Sequence, residues 1–461
     1  MDRFRPLAPA PPAGAPVALP GMKLSELIGA LSHALDLTEG QPKGHCIRAC
    51  WIGMHLGRTI GLDLGPLREL YYTLLLKDLG CSSNAARICE LYLTDDLSFK
   101  RDFRTVGDGL PDVLRFVFSH TGLNAGFASR LRSVVNILRN DTQITDDMIK
   151  TRCTRGADIA RQLRFSDGVA RGIGSLDEHW NGSGRPEHLA GAAIPLYSRI
   201  ALLAQVVDVF HTLGGPDAAL REARERSAGW FDPALVRALE QVAQDGEFWS
   251  TLASSAGVEP AVFAMEPGAS EVVLDDDYLD DIAAAFGQVV DSKSPFTSGH
   301  SARVAHIADA LARRLGVPAA RCRWLRRAAL LHDVGKLGVS NSILDKPGKL
   351  DDEEWASVRR HAEHTEAILS RIGAFAELAR VAGAHHERLD GGGYPRGLTA
   401  DDITLETRII TTADIFDAIS ADRPYRSAVP IDKTLAMMRE TVGTALDPLC
   451  FDALEQVIAA G

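Results

Sequence analysis

The sequence predicts an all-α protein made of two tandem helical bundles. Apolar residues recur at intervals of three and four along most of the chain, as at Leu24, Leu27, Ile28, Leu31 and Leu35, the period of a helix that buries one face. Strand-like alternation is scarce. Several blocks of the first half return in the second half in the same order, the mark of a duplicated domain.

Residues 1–21 are a Pro/Ala-rich tail without the continuous apolar core of a signal peptide, and are expected to be disordered. Residues 22–250 form the first bundle, with Gly/Pro breaks at Gly61–Pro66, Gly107–Pro111 and Gly182–Pro186. Residues 251–276, with small residues, two prolines and an acidic run, are expected to be a linker. Residues 277–461 form the second bundle, opening with the stripe Tyr278, Ile282, Ala285, Phe286, Val289 and Val290. Its breaks fall at Pro347–Gly348, Gly391–Pro395 and Pro430.

The formal net charge of −11 disfavours non-specific binding to nucleic acid or anionic membrane, so an anionic ligand must be held by local cations or metals. Seven cysteines, with no CxxC pair, suit reduced thiols in a cytoplasmic protein. No run of about 18 uninterrupted apolar residues is present, so no transmembrane helix is expected.

Gly44-His45 with Arg48 matches Gly299-His300 with Arg303, an offset of 300 − 45 = 255. LLLKDLG at Leu74–Gly80 matches ALLHDVG at Ala329–Gly335 at that same offset. EHWNGSGRP at Glu178–Pro186 matches ERLDGGGYP at Glu387–Pro395 at 387 − 178 = 209, as does Ser198–Phe210 with Thr407–Ile419. The difference, 255 − 209 = 46, places extra residues in the first half between Cys81 and Arg152.

In the second half His300, His332, Asp333, His361, His385, His386 and Asp414 interrupt apolar helical runs. Any one of them alone reads as a hydrogen-bonded core residue. Burying all seven without partners would cost roughly several kcal/mol each, and a shared metal centre removes that cost. Five histidines and two aspartates suffice for two metals with open positions. The nitrogen and oxygen donors favour iron or manganese, with zinc, nickel and magnesium behind. Asp333 has two oxygens and can bridge, and Lys336 places a cation where a bound phosphate would sit.

The blocks TSGHSARV (Thr297–Val304), LLHDVGKLGVSNSILDKPGKL (Leu330–Leu350), HHERLDGGGYPRGL (His385–Leu398), RIITTADIFDAISADRPYR (Arg408–Arg426) and GTALDP (Gly443–Pro448) identify the family. From about Tyr278 to Ala459 the chain resembles the HD-GYP family of metal-dependent phosphohydrolases. The resemblance implies an all-helical bundle that opens a cyclic dinucleotide, chiefly cyclic di-GMP, to a linear dinucleotide and onward to GMP. Attack by a hydroxide bridged between two metals is the implied chemistry, with Asp333 and Lys336 as the catalytic pair. It also implies metal ligation by the seven residues above and substrate contacts from Lys336, Gly393, Tyr394, Pro395, Arg423 and Arg426. The GYP loop is implicated in contacts with signalling partners, and a homodimer is compatible with the family. Members with a third metal carry a glutamate where this chain has Phe296, so two metals are expected.

The first half keeps His45 and Asp78 but has Lys77, Arg152, Leu176, Asp177 and Gln205 where the second has His332, His361, His385, His386 and Asp414. It is expected to be inactive, serving as a scaffold or as a sensor whose Lys77/Arg152 pocket takes an anion. HD-GYP members with a degenerate domain before an active one include 3′3′-cyclic GMP-AMP phosphodiesterases, so that substrate stands as the alternative. A non-catalytic cyclic-dinucleotide receptor is the third reading.

Overall fold

A computed structural model of the chain describes residues 23–103, 110–122, 127–268, 274–422 and 426–460. The tail expected at 1–21 lies outside the described residues. Among the described residues there is no β-strand, only three isolated bridges.

The first half opens with α1 (Leu24–Thr38), α2 (His45–Thr59) and α3 (Leu64–Leu76). After a 3-10 turn come α4 (Ala85–Tyr92), α5 (Asp96–Phe103), α6 (Leu110–His120) and the long α7 (Phe127–Gln162). Next are α8 (Asp167–Gly174), α9 (Leu196–Glu225), α10 (Pro233–Val242), α11 (Gly246–Ala253) and α12 (Val258–Ala264). The second half runs through α13 (Asp276–Asp291), α14 (His300–Arg314) and α15 (Ala319–Leu331) to a 3-10 turn at Val334–Gly338. Then come α16 (Asn341–Leu344), α17 (Asp352–Leu369), α18 (Ala376–Gly383), α19 (Leu405–Ser420), α20 (Ile431–Arg439) and α21 (Pro448–Ala460).

The repeat seen in the sequence is a repeat in space. His45 Nδ1 meets Asp208 at 2.7 Å and Arg48 Nε donates to the same carboxylate at 2.6 Å. His300 and Arg303 meet Asp417 at the same two distances. Glu178 accepts from the backbone of Glu187 and Leu189, as Glu387 does from Arg396 and Leu398. The extra residues of the first half build α4 to α6 and the start of α7, around a small separate core of Ile88, Tyr92, Phe99, Phe116, Val117 and Ile137.

The segment 251–276 is not the open linker that its composition suggests. It holds the end of α11 and all of α12, with Leu252, Val258, Val262 and Met265 buried. Ser25 and Tyr72 both donate to Glu266, fastening it to the first half. The apolar core is continuous across both halves, because the inner faces of α1 and α13 each bury against the other half's turn after its LKD or LHD segment. Three arginines of α15 are held in ion pairs: Arg321 with Glu377 and Glu406, and Arg323 and Arg327 with Asp280.

Charged contacts cross between the halves, among them Arg164 with Asp281 at the surface and two that involve more buried groups. Asp96, fully buried at the start of α5, accepts from Lys293 Nζ at 3.4 Å, from Ser340 Oγ at 3.1 Å and from the Asn341 backbone N–H at 2.8 Å. It therefore caps α16, whose approach carries Lys336. Burial opposes the Asp96 charge, but Lys293 and Lys100 outweigh it and hold the carboxyl below its usual range. Glu259 on α12 accepts from His33 Nε2 at 3.1 Å and pairs with Arg371 of the second half. Those partners, His33 first, pull its pKa down to about 2.

Asp96→Ala strands a buried ammonium, and is expected to cost about 3 kcal/mol and several degrees of Tm. Adding Lys293→Met should recover most of it, and an unchanged Tm in the single variant contradicts the account. The Glu259 pKa is depressed, so its stabilisation is present above the ordinary value near 4.5 and fades as pH falls toward about 2. Glu259→Gln should lower Tm at pH 7 by the equivalent of about 1 kcal/mol, discounted for its partial exposure, and by less at pH 3. An equal deficit at both pH values would exclude the ion pair as its source.

Candidate metal centre

Each ligand candidate is delivered by a helix end or a helix interior. α15 ends in Leu331, and the chain turns there so that His332 and Asp333 point inward from the same corner. His300 begins α14, after Gly299 in the left-handed region at φ 69°. His361 lies within α17, Asp414 within α19, and His385 and His386 just past α18. Gly335 permits this assembly: a Cβ there would sit 2.0 Å from the carbonyl oxygen of His361. Thr365 ties the same corner, accepting from Gly335 N–H at 3.0 Å and donating to the His332 carbonyl at 2.9 Å.

The histidines are fixed from behind. Nδ1 of His332, His361 and His385 donates at 2.6 Å to the carbonyl three residues earlier, of Ala329, Val358 and Ala382 respectively. His300 Nδ1 donates to Asp417 at 2.7 Å. With the proton on Nδ1, each Nε2 presents a lone pair to the interior, the tautomer a metal requires.

Asp333 stands between two groups. Its Oδ2 lies 3.4 Å from His300 Nε2 and 3.3 Å from His332 Nε2. Its Oδ1 lies 3.5 Å from His361 Nε2 and 3.7 Å from His385 Nε2. Asp414 Oδ1 closes the first group, 3.2 Å from His300 Nε2, and His386 joins His361 and His385 in the second. Lone pairs thus face carboxylate oxygens, which only a cation or a proton relieves. His300 Nε2, His332 Nε2 and Asp333 Oδ1 are buried without a hydrogen-bond partner, each costing about 1–3 kcal/mol. Divalent cations held by these two groups would satisfy all three atoms, so the residues fit a metal centre.

Electrostatics point the same way. Burial lowers His361 to about 3 and His386 to about 4, with His386 and Asp414 respectively the next influence. Burial and His386 also lower His385. These rings stay neutral at pH 7. Burial opposes charge on His300, but the facing carboxylates of Asp333, Asp414 and Asp417 outweigh it and raise its pKa, so that without a metal a proton on Nε2 takes the place of the cation. Burial likewise opposes the charge on Asp333, and His332 and Lys336 overcome it.

Lys336 pairs with Asp333 Oδ2 at 2.5 Å while keeping part of its side chain open to solvent. Tyr394 packs over His386 with ring centroids 4.7 Å apart, and burial raises its pKa, keeping the phenol neutral. Gly393 is demanded by close approach, since a Cβ would lie 2.4 Å from the Arg388 nitrogen. Its place is therefore structural. Pro395 follows in the same half-buried loop, which Glu387 clamps. Arg426, expected at the phosphates, instead donates to the carbonyls of Ile419 and Ala418 at 2.7 and 2.9 Å, capping α19. Helix-end carbonyls with no partner of their own attract that guanidinium. Arg423 lies outside the described residues.

In the first half the equivalent positions are closed by ion pairs. Lys77 binds Asp78 where His332 and Asp333 stand, and Arg152 binds Asp177 where His361 and His386 stand. Both expected cations are thus matched by carboxylates. Residues not singled out from the sequence include Asp417, Thr365 and Glu387. The repeat held a signal for Asp417: Asp208 lies under it at the offset of 209.

Adding Mn2+ to the metal-free protein should raise Tm by the equivalent of about 2.7 kcal/mol at a hundredfold excess over Kd. Asp333→Ala, which removes the shared ligand, should abolish the rise. An equal rise in both proteins would place the metals elsewhere.

The HD domain family profile matches residues 117–235 and 285–449. The chain is 57% identical over 435 residues, 94% of each chain, to the 3′3′-cGAMP-specific phosphodiesterase 3 of Vibrio cholerae. Over 160 residues, 34% of this chain and 42% of the other, it is 41% identical to a cyclic di-GMP phosphodiesterase response regulator of Xanthomonas campestris. The crystal structure of a cyclic GMP-AMP-specific phosphodiesterase from V. cholerae superposes with a TM-score of 0.66 at 51% identity, covering 95% of this chain and 98% of that one. With matching motifs, fold and ligand cluster, the chain belongs to the HD domain family, in its HD-GYP branch of metal-dependent phosphohydrolases.

Proposed function

We propose that this protein is a metal-dependent phosphodiesterase that linearises 3′3′-cyclic GMP-AMP. The observation that carries the reading is the 57% identity, over 94% of both chains, to a phosphodiesterase specific for that dinucleotide. Of the two substrates expected from the sequence, this favours cyclic GMP-AMP over cyclic di-GMP. The centre of His300, His332, Asp333, His361, His385, His386 and Asp414 supports catalysis over a receptor role, because a receptor has no need of the full ligand set. Iron or manganese is the metal favoured by the donors.

When bound, the two metals supply positive charge for the phosphodiester oxygens and lower the pKa of a water. The chain's own residues do the rest. His300, His332, His361 and His385 keep their Nε2 atoms aimed inward through their Nδ1 hydrogen bonds. Lys336 faces a non-bridging phosphate oxygen with a fixed cation beside Asp333. Tyr394 packs over the His386 ring.

The first half is a non-catalytic scaffold in this reading, supported by its Lys77–Asp78 and Arg152–Asp177 pairs and by the Asp96 cap on α16. Location in the cytoplasm is supported by seven cysteines without a disulfide. No helix among the described residues is long and apolar enough to cross a membrane.

The test is turnover of 3′3′-cyclic GMP-AMP and cyclic di-GMP by protein loaded anaerobically with iron or manganese. kcat/KM should be higher for cyclic GMP-AMP, with no detectable turnover in Asp333→Ala and a loss of about 10²–10³ in kcat for Lys336→Ala. Equal or reversed preference overturns the substrate assignment. Absence of turnover of either dinucleotide by metal-loaded protein overturns the activity.

A further inference from the structure

Beside the metal centre, α17 carries an exposed aromatic side chain that the fold does not use. Trp355 is 46% exposed, on the outer face of the helix that delivers His361. One turn further on, the guanidinium of Arg359 lies 6.0 Å from the Trp355 ring centroid and 5.4 Å from that of Tyr394. Tyr394 in turn stacks on His386 and lies 6.4 Å from His361. The three side chains form a ladder that leads from the second metal group to solvent. Arg359 is exposed and makes no ion pair within 4 Å among the described residues, unlike Arg321, Arg323 and Arg327 on α15. A bound carboxylate partner is thus missing where an anionic ligand would approach.

The start of α17 is rigid, which suits a binding surface. Asp351 and Glu354 form a reciprocal cap of the helix N-terminus, and Lys346 pairs with Glu354 from the preceding loop. Trp355 follows directly after this cap, so its backbone is fixed while its ring remains open. An exposed tryptophan next to an unpaired arginine is the combination that binds nucleobases by stacking and phosphates by charge.

We propose that Trp355, Arg359 and Tyr394 form a subsite for the ligand, in which Trp355 stacks against one purine base of a cyclic dinucleotide and Arg359 holds its uncut phosphate. The assignment rests on the cyclic-dinucleotide reading above and adds to it the surface that takes the base. Trp355 and Arg359 are specificity-determining residues here, remote from the reacting atoms. Tyr394 links them to the metal ligands, so a base held on Trp355 positions the scissile phosphate by its own length.

Steady-state kinetics on metal-loaded full-length protein test this, with wild type, Trp355→Ala and Trp355→Phe on 3′3′-cyclic GMP-AMP. Trp355→Ala should raise KM about tenfold, the size expected for losing one stacked base, with kcat changed less than about threefold. Trp355→Phe keeps a ring and should stay within about threefold of the wild-type KM. Inorganic phosphate, which has no base, is the control: its competitive inhibition constant should shift less than about twofold in Trp355→Ala. A KM within about twofold of wild type in Trp355→Ala overturns the subsite. So does a phosphate inhibition constant that rises in step with KM, because that reports a disturbed metal centre. If wild-type protein hydrolyses no cyclic dinucleotide, the reading beneath the subsite is overturned along with it.

Discussion

The second half depends on one buried carboxylate. Asp333 faces His300 and His332 with one oxygen and His361 and His385 with the other. Four histidine lone pairs and two aspartates in a closed interior are tolerable only if cations neutralise and coordinate them. The surrounding structure follows from that need. Carbonyls at the ends of α15 and α18 and within α17 hold the Nδ1 protons, Gly335 lets α17 come close, and Thr365 ties the corner together. The centre is built from backbone positions, which makes it rigid before any metal arrives.

The first half retains the same frame after giving up that requirement. Its His45–Asp208–Arg48 network superimposes in geometry on His300–Asp417–Arg303. Where metals would supply positive charge, the chain supplies it covalently through Lys77 and Arg152, each with a carboxylate. The substitution preserves charge balance in the buried interior and removes the open coordination positions that chemistry needs. The first half touches the second near its centre: Asp96 caps α16, and α1 packs on the turn that carries Lys336.

Much of this was legible in single residues. The seven ligand candidates interrupt apolar runs, and all seven converge in the structure. The repeat placed Lys77 under His332 and Arg152 under His361, and the close contacts of Gly80 with Arg152 and of Gly335 with His361 agree with that register. Segment 251–276 was misleading because small residues and prolines also suit a short helix packed on a neighbour, as α12 shows. The place of Arg426 was not legible, because a motif position does not say which acceptor its guanidinium chooses. Carbonyls at the end of α19 lay within reach.

The sequence by itself determined the helical class, the duplication, the seven candidate metal ligands and their replacement in the first half. Each is a matter of residue type and spacing, and helical period converts spacing into a shared face. Tertiary structure alone decided that Asp333 lies between two histidine groups, that Asp417 orients His300, and that Asp96 reaches across to α16. The contacts of His300 with Asp333, His300 with Asp417 and Asp96 with Asn341 join residues 33, 117 and 245 positions apart. No local pattern encodes them, because they exist only when separate helices have packed.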